Sequence, residues 1–204
     1  MKKLIVSSVV LLMSLAGVAH AAGDAAAGAD KVAVCAGCHG ADGNSMVPTF
    51  PNLAGQGEKY FVKQIADFKA MTTRKNDTMM GMAMTIATDQ DAADIAAFYA
   101  AQKLNSTAVS DESKLAKGRE IYKGGNMQTG VPACQGCHGP TGAGNSAAGY
   151  PQLKGQHVDY TKAQLHAFRD ASRSNDDREV MRNALPRITD AEIEAVAHYI
   201  ASLK

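Results

Sequence analysis

A five-residue pattern, Cys-x-x-Cys-His, occurs twice in this chain of 204 residues and constrains its fold more than any other feature. The first copy is Cys35-Ala-Gly-Cys38-His39 and the second is Cys134-Gln-Gly-Cys137-His138. The copies lie 99 residues apart and contain all four cysteines of the chain. Each half must therefore build its own site around two thiols and one imidazole.

The spacing within each copy is the signature of covalent haem attachment. Two thiols about one helical turn apart can bond to the two vinyl groups of one porphyrin, and the next residue then lies beneath the iron as an axial ligand. The predicted attachment residues are Cys35, Cys38, Cys134 and Cys137, and the predicted iron ligands are His39 and His138. We expect two covalently bound haem c groups.

Three other uses of these cysteines fit the sequence less well. A zinc site could combine both pairs, but each pair lies in its own repeat and is followed by a histidine. A thioredoxin-like redox disulfide requires a βαβ context, which the sequence lacks. A structural disulfide within each pair would leave the repeated histidine unexplained.

The repetition extends beyond the cysteines and indicates a duplicated domain. Phe50-Pro51-Asn-Leu53-Ala-Gly55-Gln56 matches Tyr150-Pro151-Gln-Leu153-Lys-Gly155-Gln156. Further matches join Tyr60, Gln64 and Phe68 to Tyr160, Gln164 and Phe168, and Thr88 to Thr189. Each copy has the size of a small domain. The polar segment 102–111 marks the boundary, so we predict one domain over 22–104 and a second over 105–204.

Apolar residues recur at helical spacing, and no segment has a convincing strand pattern. The predicted helices cover 24–34, 58–71, a segment that begins at Thr88, 115–122, 158–171 and 189–203. We predict an all-α fold with three or more helices around the haem of each domain. Aromatic residues form only 5% of the chain, so the porphyrins would supply a large part of each apolar core.

Residues 1–21 have the pattern of a secretory signal peptide. Lys2 and Lys3 precede an apolar run over 4–18, and Ala19-His20-Ala21 is a typical cleavage site. The run is too short for a comfortable membrane span, and no later segment is apolar enough to provide one. We expect cleavage after Ala21 and an exported mature chain without a transmembrane segment.

The charge balance argues against one class of partner. The chain has 21 Lys plus Arg against 20 Asp plus Glu, which is not the strongly basic composition of a nucleic-acid binder. The halves differ slightly, with 7 basic and 9 acidic residues over 22–104 and 12 and 11 over 105–204. We hypothesise that this asymmetry steers the two ends toward different redox partners. Its surface charges would include Arg173, Arg178, Arg182 and Arg187.

The ligand on the other side of each iron decides what the site can do. An open iron can bind small molecules, whereas an iron closed by His and Met is suited to electron transfer. Met80 and Met181 lie at matching positions, each eight residues before the threonine that begins the last helix of its half. We predict these two as sixth ligands, with Met79 and Met82 as alternatives to Met80.

Pro51 and Pro151 follow the proximal histidines by 12 and 13 residues. Turn chemistry alone would explain a proline in such a loop. A functional interpretation is that a local backbone carbonyl accepts the hydrogen of the histidine Nδ1, which would fix the ring and tune its donor strength. Three further histidines, His157, His166 and His198, have no histidine counterpart in the first half and are expected to be surface or packing residues.

These motifs together resemble the dihaem cytochrome c4 family, in which two class I cytochrome c domains are fused in tandem. The resemblance covers nearly the whole mature chain and rests on 22–25, 31–45, 50–57, 132–139 and the segment around Met181. It implies a periplasmic electron carrier that passes electrons from a quinol-oxidising complex toward a terminal oxidase. A loose peripheral association with the membrane is also implied.

The resemblance further implies specific roles for site residues. Each iron would have His and Met ligands, here His39 with Met80 and His138 with Met181. The carbonyl contact to the proximal histidine would come from Pro51 and Pro151.

No repeated acid–base pair or nucleophile accompanies the motifs, so we expect an electron-transfer protein and not an enzyme. One alternative is a dihaem electron-transfer subunit of a larger dehydrogenase. A second is a dihaem enzyme, such as a peroxidase or a sulfur-compound oxidoreductase, with one open haem. Methionines at matching positions in both halves argue against the second alternative, whereas the sequence does not separate a free carrier from a subunit.

Overall fold

The computed structural model describes residues 22–204, and its regular structure is helical. The first half contains α1 (Ala25–Ala29), α2 (Ala33–His39), α3 (Glu58–Ala70), α4 (Asp77–Met84) and α5 (Asp89–Ala101). The second half contains α6 (Glu112–Gly124), α7 (Gln135–His138), α8 (Val158–Arg169), a 3-10 turn (Asp177–Glu179), α9 (Val180–Ala184) and α10 (Asp190–Ser202). Over 22–204, extended pairing is limited to two isolated bridges. The all-α prediction is confirmed, and the predicted signal peptide lies outside the described residues.

The amino-terminal segment forms two helices, so the prediction of one continuous helix over 24–34 is wrong. Asp24 caps α1 by accepting from the N–H groups of Ala26 and Ala27, and its own N–H donates to Asp94 on α5. Lys31, just after α1, pairs with the carboxylates of Asp91 and Asp94. These contacts tie both ends of α1 to α5, and the helix is interrupted before α2 begins.

Two short helices, α4 and α9, were not predicted from the sequence. They contain eight and five residues, which is too short for apolar periodicity to stand out. Both carry the candidate methionine ligands, so they matter for the site. Across the described residues, no helix is long and apolar enough to cross a membrane.

Each half packs its helices around its own last helix. In the first half α5 packs against α1 and α3, and in the second α10 packs against α6 and α8. A Cβ atom on Gly28 would lie 2.1 Å from the carbonyl oxygen of Asp94, and one on Gly118 would lie 2.1 Å from that of Ala195. Both crossings therefore require glycine, and the duplicated halves share the same helix-packing solution.

The last helix of each half begins with a capping box. The Thr88 hydroxyl accepts from the Asp91 N–H, and the Asp91 carboxylate accepts from the Thr88 N–H. Thr189 and Glu192 repeat the arrangement in the second half. The predicted N-cap at Thr88 is confirmed. Each box fixes the helix start just after the segment that carries the candidate methionine.

The segment between α5 and α6 has no regular secondary structure and is held by both halves. The Asn44 amide donates to the carbonyl of Lys103 at 3.0 Å and accepts from the N–H of Asn105 at 2.7 Å. At the other end, the Asp111 N–H donates to Nδ1 of His198 at 2.9 Å. The connection is therefore anchored and not a loose tether.

The halves contact each other through reciprocal pairs of side chains. Arg173 donates to the Tyr60 hydroxyl at 3.1 Å, and Arg74 donates to the Tyr160 hydroxyl at 3.0 Å. Each guanidinium also lies over a phenylalanine ring of its own half. Arg74 is 4.3 Å from the centre of the Phe68 ring, and Arg173 is 4.4 Å from the centre of the Phe168 ring. We call Tyr60, Arg74, Tyr160 and Arg173 the tyrosine–arginine clamp.

The assignment of Arg173 as a surface charge is therefore wrong. Its side chain is buried between the halves, where hydroxyl, amide and aromatic partners replace water. Arginine is rarely buried without such partners, and the sequence did not show that the second half would supply them to the first. Of the other proposed surface charges, Arg178 and Arg187 are exposed, and Arg182 pairs with Asp176 at 2.7 Å.

Candidate haem sites

The two Cys-x-x-Cys-His motifs form the ends of short helices. His39 and His138 are the last residues of α2 and α7, and Gly40 and Gly139 follow them with φ of 80° and 79°. A residue with a side chain is strained at such a positive φ, so glycine lets the chain turn away directly after the histidine. All four thiols are free, and neither pair forms a disulfide.

Both proximal histidines are buried and held by the same kind of hydrogen bond. Nδ1 of His39 lies 2.9 Å from the Pro51 carbonyl oxygen, and Nδ1 of His138 lies 3.0 Å from that of Pro151. Because a carbonyl oxygen only accepts, Nδ1 carries the hydrogen and Nε2 keeps its lone pair for a metal. The carbonyl contacts expected from the sequence are present in both halves.

Burial sets the protonation of the histidines and cysteines. It lowers the pKa of His39 and His138 because the imidazolium ion is poorly solvated there, although the bond to the proline carbonyl acts in the opposite direction. Burial raises the pKa of the Cys35 thiol and raises that of Cys134 to about 11. The imidazoles are therefore neutral near pH 7, which is the form that binds iron.

In the first half the candidate methionines lie on α4. Ala83 is fully buried, and Met79 and Met80 lie four and three residues earlier, on the same side of the helix. Both are half-buried, whereas Met82 and Met84 are 38% and 65% exposed. The side of α4 that faces the core therefore carries Met79 and Met80. Met79 packs against the apolar core of the first half.

In the second half Met181 lies on α9 and packs against the apolar core. Two residues with positive φ, Arg178 at 54° and Glu179 at 59°, precede the helix and turn the chain inward. The other methionine of this half, Met127, is 99% exposed. Met181 is thus the one methionine of this half that packs into the core.

The donors present in each half match those that a covalently bound haem requires. Each half provides two free thiols, one imidazole with an available Nε2 and a thioether on a separate short helix. Such a set suits haem c with a closed iron. Among residues 22–204, no cluster of three or more His, Cys, Asp and Glu side chains could hold another metal ion.

Sequence reasoning missed the side chains that link the two sites. Gln56 and Gln156 occur at matching positions, and each contacts the residue that follows the proline of the opposite half. Their identity in both copies was a signal, but repetition does not reveal that the partner of each copy is the other copy. His157, expected to be a surface or packing residue, is buried at the same interface, where its Nε2 donates to the Ser45 carbonyl at 3.0 Å.

Comparison with known proteins agrees with this geometry. The chain matches the cytochrome c family model over residues 25–102 and again over 115–204. It is 47% identical to cytochrome c4 of Pseudomonas aeruginosa over the full length of both chains. The crystal structure of reduced recombinant cytochrome c4 from Pseudomonas stutzeri superposes with a TM-score of 0.84 at 46% identity, covering 90% of this chain and 100% of that one.

A second kind of relative is also similar. The thiosulfate dehydrogenase electron acceptor of Thiomonas intermedia is 36% identical, and the match covers 87% of this chain and 82% of that protein. Similar chains therefore include a protein named as the acceptor of a specific dehydrogenase.

Proposed function

The chain belongs to the cytochrome c4 family and carries two haem c groups as an electron-transfer protein, and from this premise we propose a specific role in respiration. The protein accepts electrons in the periplasm from a quinol-oxidising complex and passes them toward a terminal oxidase. The observation that carries the proposal is the site built twice, with a buried histidine fixed by a proline carbonyl and a half-buried methionine on a separate short helix.

The proposed ligands of the irons are His39 with Met80 and His138 with Met181. The thiols of Cys35, Cys38, Cys134 and Cys137 would form the covalent links. When bound, haem supplies reversible one-electron chemistry between Fe(III) and Fe(II). The chain itself holds each imidazole in one orientation through Pro51 or Pro151 and buries it.

We propose domains over 22–104 and 105–204, preceded by a signal peptide that is cleaved after Ala21. The polar connection between α5 and α6 supports that boundary. Mass spectrometry of the periplasmic protein tests the cleavage site. A first residue other than Ala22 would overturn it.

The respiratory role can be tested with membranes that contain the quinol-oxidising complex and the terminal oxidase but lack this cytochrome. Adding the purified holoprotein is expected to restore oxygen consumption driven by quinol. A matched control is holoprotein with Met181 replaced by Ala, which keeps both covalent attachment sites. If neither protein restores oxygen consumption although both of its haems can be reduced, the respiratory role is contradicted.

A second candidate is an electron-transfer subunit or dedicated acceptor of a dehydrogenase. The similarity to the thiosulfate dehydrogenase electron acceptor favours it. Pull-down of the native periplasmic protein separates the two roles. A stoichiometric dehydrogenase partner, combined with substrate-dependent reduction of the haems, would favour the subunit.

A further inference from the structure

The proximal histidine of the first half is connected to the second half through one peptide group. The carbonyl oxygen of the Pro51–Asn52 peptide accepts from Nδ1 of His39 at 2.9 Å. The N–H of that same peptide, on Asn52, donates to Oε1 of Gln156 at 2.9 Å. A continuous path of two hydrogen bonds therefore runs from His39 to a glutamine of the opposite half.

The second half repeats this path in the opposite direction. The carbonyl oxygen of the Pro151–Gln152 peptide accepts from Nδ1 of His138 at 3.0 Å. Its N–H, on Gln152, donates to Oε1 of Gln56 at 2.9 Å. The two paths are reciprocal, as expected where a duplicated domain packs on its own copy.

Each glutamine is held in one orientation by further hydrogen bonds. Nε2 of Gln156 donates to the Asn52 carbonyl at 3.0 Å, and Nε2 of Gln56 donates to the Gln152 carbonyl at 3.1 Å. Each Oε1 also accepts from the N–H of the residue that follows its own glutamine, at 3.0 Å in both halves. Both side chains are 7% exposed, so solvent hardly competes for these contacts.

A peptide group transmits polarisation between its two ends. When its N–H donates to a strong acceptor, its carbonyl oxygen becomes more negative and accepts more strongly. A stronger bond from Nδ1 makes the imidazole a better electron donor to the iron. Greater donation stabilises the oxidised iron and lowers the reduction potential.

We propose that Gln56 and Gln156 are positioning residues that tune the proximal histidine of the opposite domain. Gln56 acts on His138 through the Pro151–Gln152 peptide, and Gln156 acts on His39 through the Pro51–Asn52 peptide. The proposal rests on the proposed ligation by His39 and His138. It follows that a substitution of the glutamine in one domain changes the reduction potential of the haem in the other domain.

The test is Gln56→Leu in the full holoprotein, which removes the acceptor and retains most of the side-chain volume. The potential of the second-domain haem is expected to rise, while that of the first-domain haem stays unchanged. Redox titration followed by NMR of the haem methyl groups assigns each potential to its domain. The Nδ1–H resonance of His138 is expected to shift, while that of His39 is not. Gln156→Leu is expected to raise the potential of the first-domain haem and to shift the Nδ1–H resonance of His39, while those of the second domain stay unchanged.

Two further variants sharpen the test. Gln56→Glu keeps an acceptor and makes it anionic, so it is expected to lower the potential of the second-domain haem. Gln102→Leu is a matched control, because the half-buried Gln102 amide donates to the Phe98 carbonyl of its own helix and, within residues 22–204, to nothing in the opposite half. The control is expected to move neither potential.

The proposal fails if Gln56→Leu leaves both potentials and both Nδ1–H resonances unchanged, or if it moves only those of the first domain. If Gln56→Leu does not fold, Gln156→Leu and Gln56→Glu test the same coupling between a glutamine and the opposite haem. Failure of the proposed ligation is recognised separately, from the absorption spectrum of the unsubstituted protein. The Nδ1–H resonances report the hydrogen-bond path itself, whichever group occupies the sixth position.

Discussion

The two domains are built alike where they hold the haem and differ where they carry the sixth-ligand candidates. The proximal histidine, the proline carbonyl, the interface glutamine and the capping threonine recur in both halves. In the first domain the methionines lie on an eight-residue helix capped by Asn76, whereas in the second a strained turn leads into a five-residue helix. Duplication has therefore kept the attachment site and the interface, while the methionine segments have diverged.

A second difference lies on the last helix of each domain. Where α1 crosses α5 at Gly28, the Asp94 carboxylate binds the N–H of Asp24 and the Lys31 ammonium. Where α6 crosses α10 at Gly118, the residue that corresponds to Asp94 is Ala195. The first domain therefore depends on a carboxylate for a packing contact that the second domain achieves without one.

The largest expected effect comes from the methionine segments. Met181→Ala removes the proposed ligand of the second iron, which is the one methionine packed into the core of that domain, and Met80→Ala removes the proposed ligand of the first. Each variant is expected to open one iron of two, so that about half of the haem binds carbon monoxide when reduced. Absorption spectroscopy measures the bound fraction.

Met79→Ala is the matched control for the first domain, because Met79 lies beside Met80 on α4. It is expected to leave both irons closed. If Met79→Ala opens an iron and Met80→Ala does not, the ligand assignment in the first domain is reversed.

The tyrosine–arginine clamp allows the contact between the domains to be weakened without touching either haem motif. Arg173→Gln removes a buried guanidinium that donates to Tyr60 and Gln64 of the first domain. We expect a loss of about 2 kcal/mol in the free energy of unfolding, because hydrogen bonds to charged groups are the stronger ones. Chemical unfolding followed at both haems measures the loss, and the two domains are expected to unfold less cooperatively.

Arg169→Gln is the control for this change. Arg169 is the last residue of α8, four residues before Arg173, but it pairs with Asp190 of its own domain, so its loss is expected to cost less than about 1 kcal/mol. Equal losses in the two variants would contradict a role for Arg173 between the domains.

A smaller effect is expected from the clamp tyrosines. Tyr60→Phe and Tyr160→Phe each remove one hydroxyl that accepts from an arginine of the opposite domain. Each should cost about 1 kcal/mol. In a double-mutant cycle, Tyr60→Phe and Arg173→Gln should be coupled, whereas Tyr60→Phe and Arg169→Gln should be additive. Additivity in the first cycle would show that the Tyr60 contact contributes nothing.

Acid is expected to weaken the first domain through Asp94. The N–H of Asp24, then Lys31 and Gln90, stabilise the Asp94 carboxylate and lower its pKa to about 2, against about 3.9 in an unfolded chain. A depressed pKa contributes stability above about pH 4, and this contribution is lost as the pH falls toward 2. Unfolding of the first domain is therefore expected to become easier between these values. Asp94→Asn should flatten that dependence, and an unchanged profile would contradict the assignment.

The smallest expected effect concerns partner docking. With Arg173 buried, Arg178 and Arg187 are the proposed surface arginines that are exposed and that pair with no carboxylate among residues 22–204. Reversing both to Glu is expected to slow association with an acidic partner a few-fold, more at low salt than at high salt. Stopped-flow reduction at several ionic strengths measures this. Unchanged rates would remove the steering hypothesis.

Sequence and structure agree where a motif acts within its own half. Cysteine spacing, the Thr88 cap and the helical pattern of α3, α5, α8 and α10 depend on local chemistry, and all of them could be anticipated. The burial of Arg173 and the reach of Gln56 to Gln152 depend on how one half packs on the other. No local pattern encodes that packing, although the repeated Gln56 and Gln156 marked the positions. The short helices α4 and α9 carry too few residues to show a period.

Whether both irons are closed can be read from an absorption spectrum of the mature holoprotein, recorded oxidised, reduced and reduced with carbon monoxide, with haem quantified per chain. We expect two haems per chain, both low-spin, with a methionine–Fe(III) charge-transfer band and no rapid carbon monoxide binding. A haem that is high-spin or binds carbon monoxide readily would show an open iron and contradict an electron carrier with two closed sites.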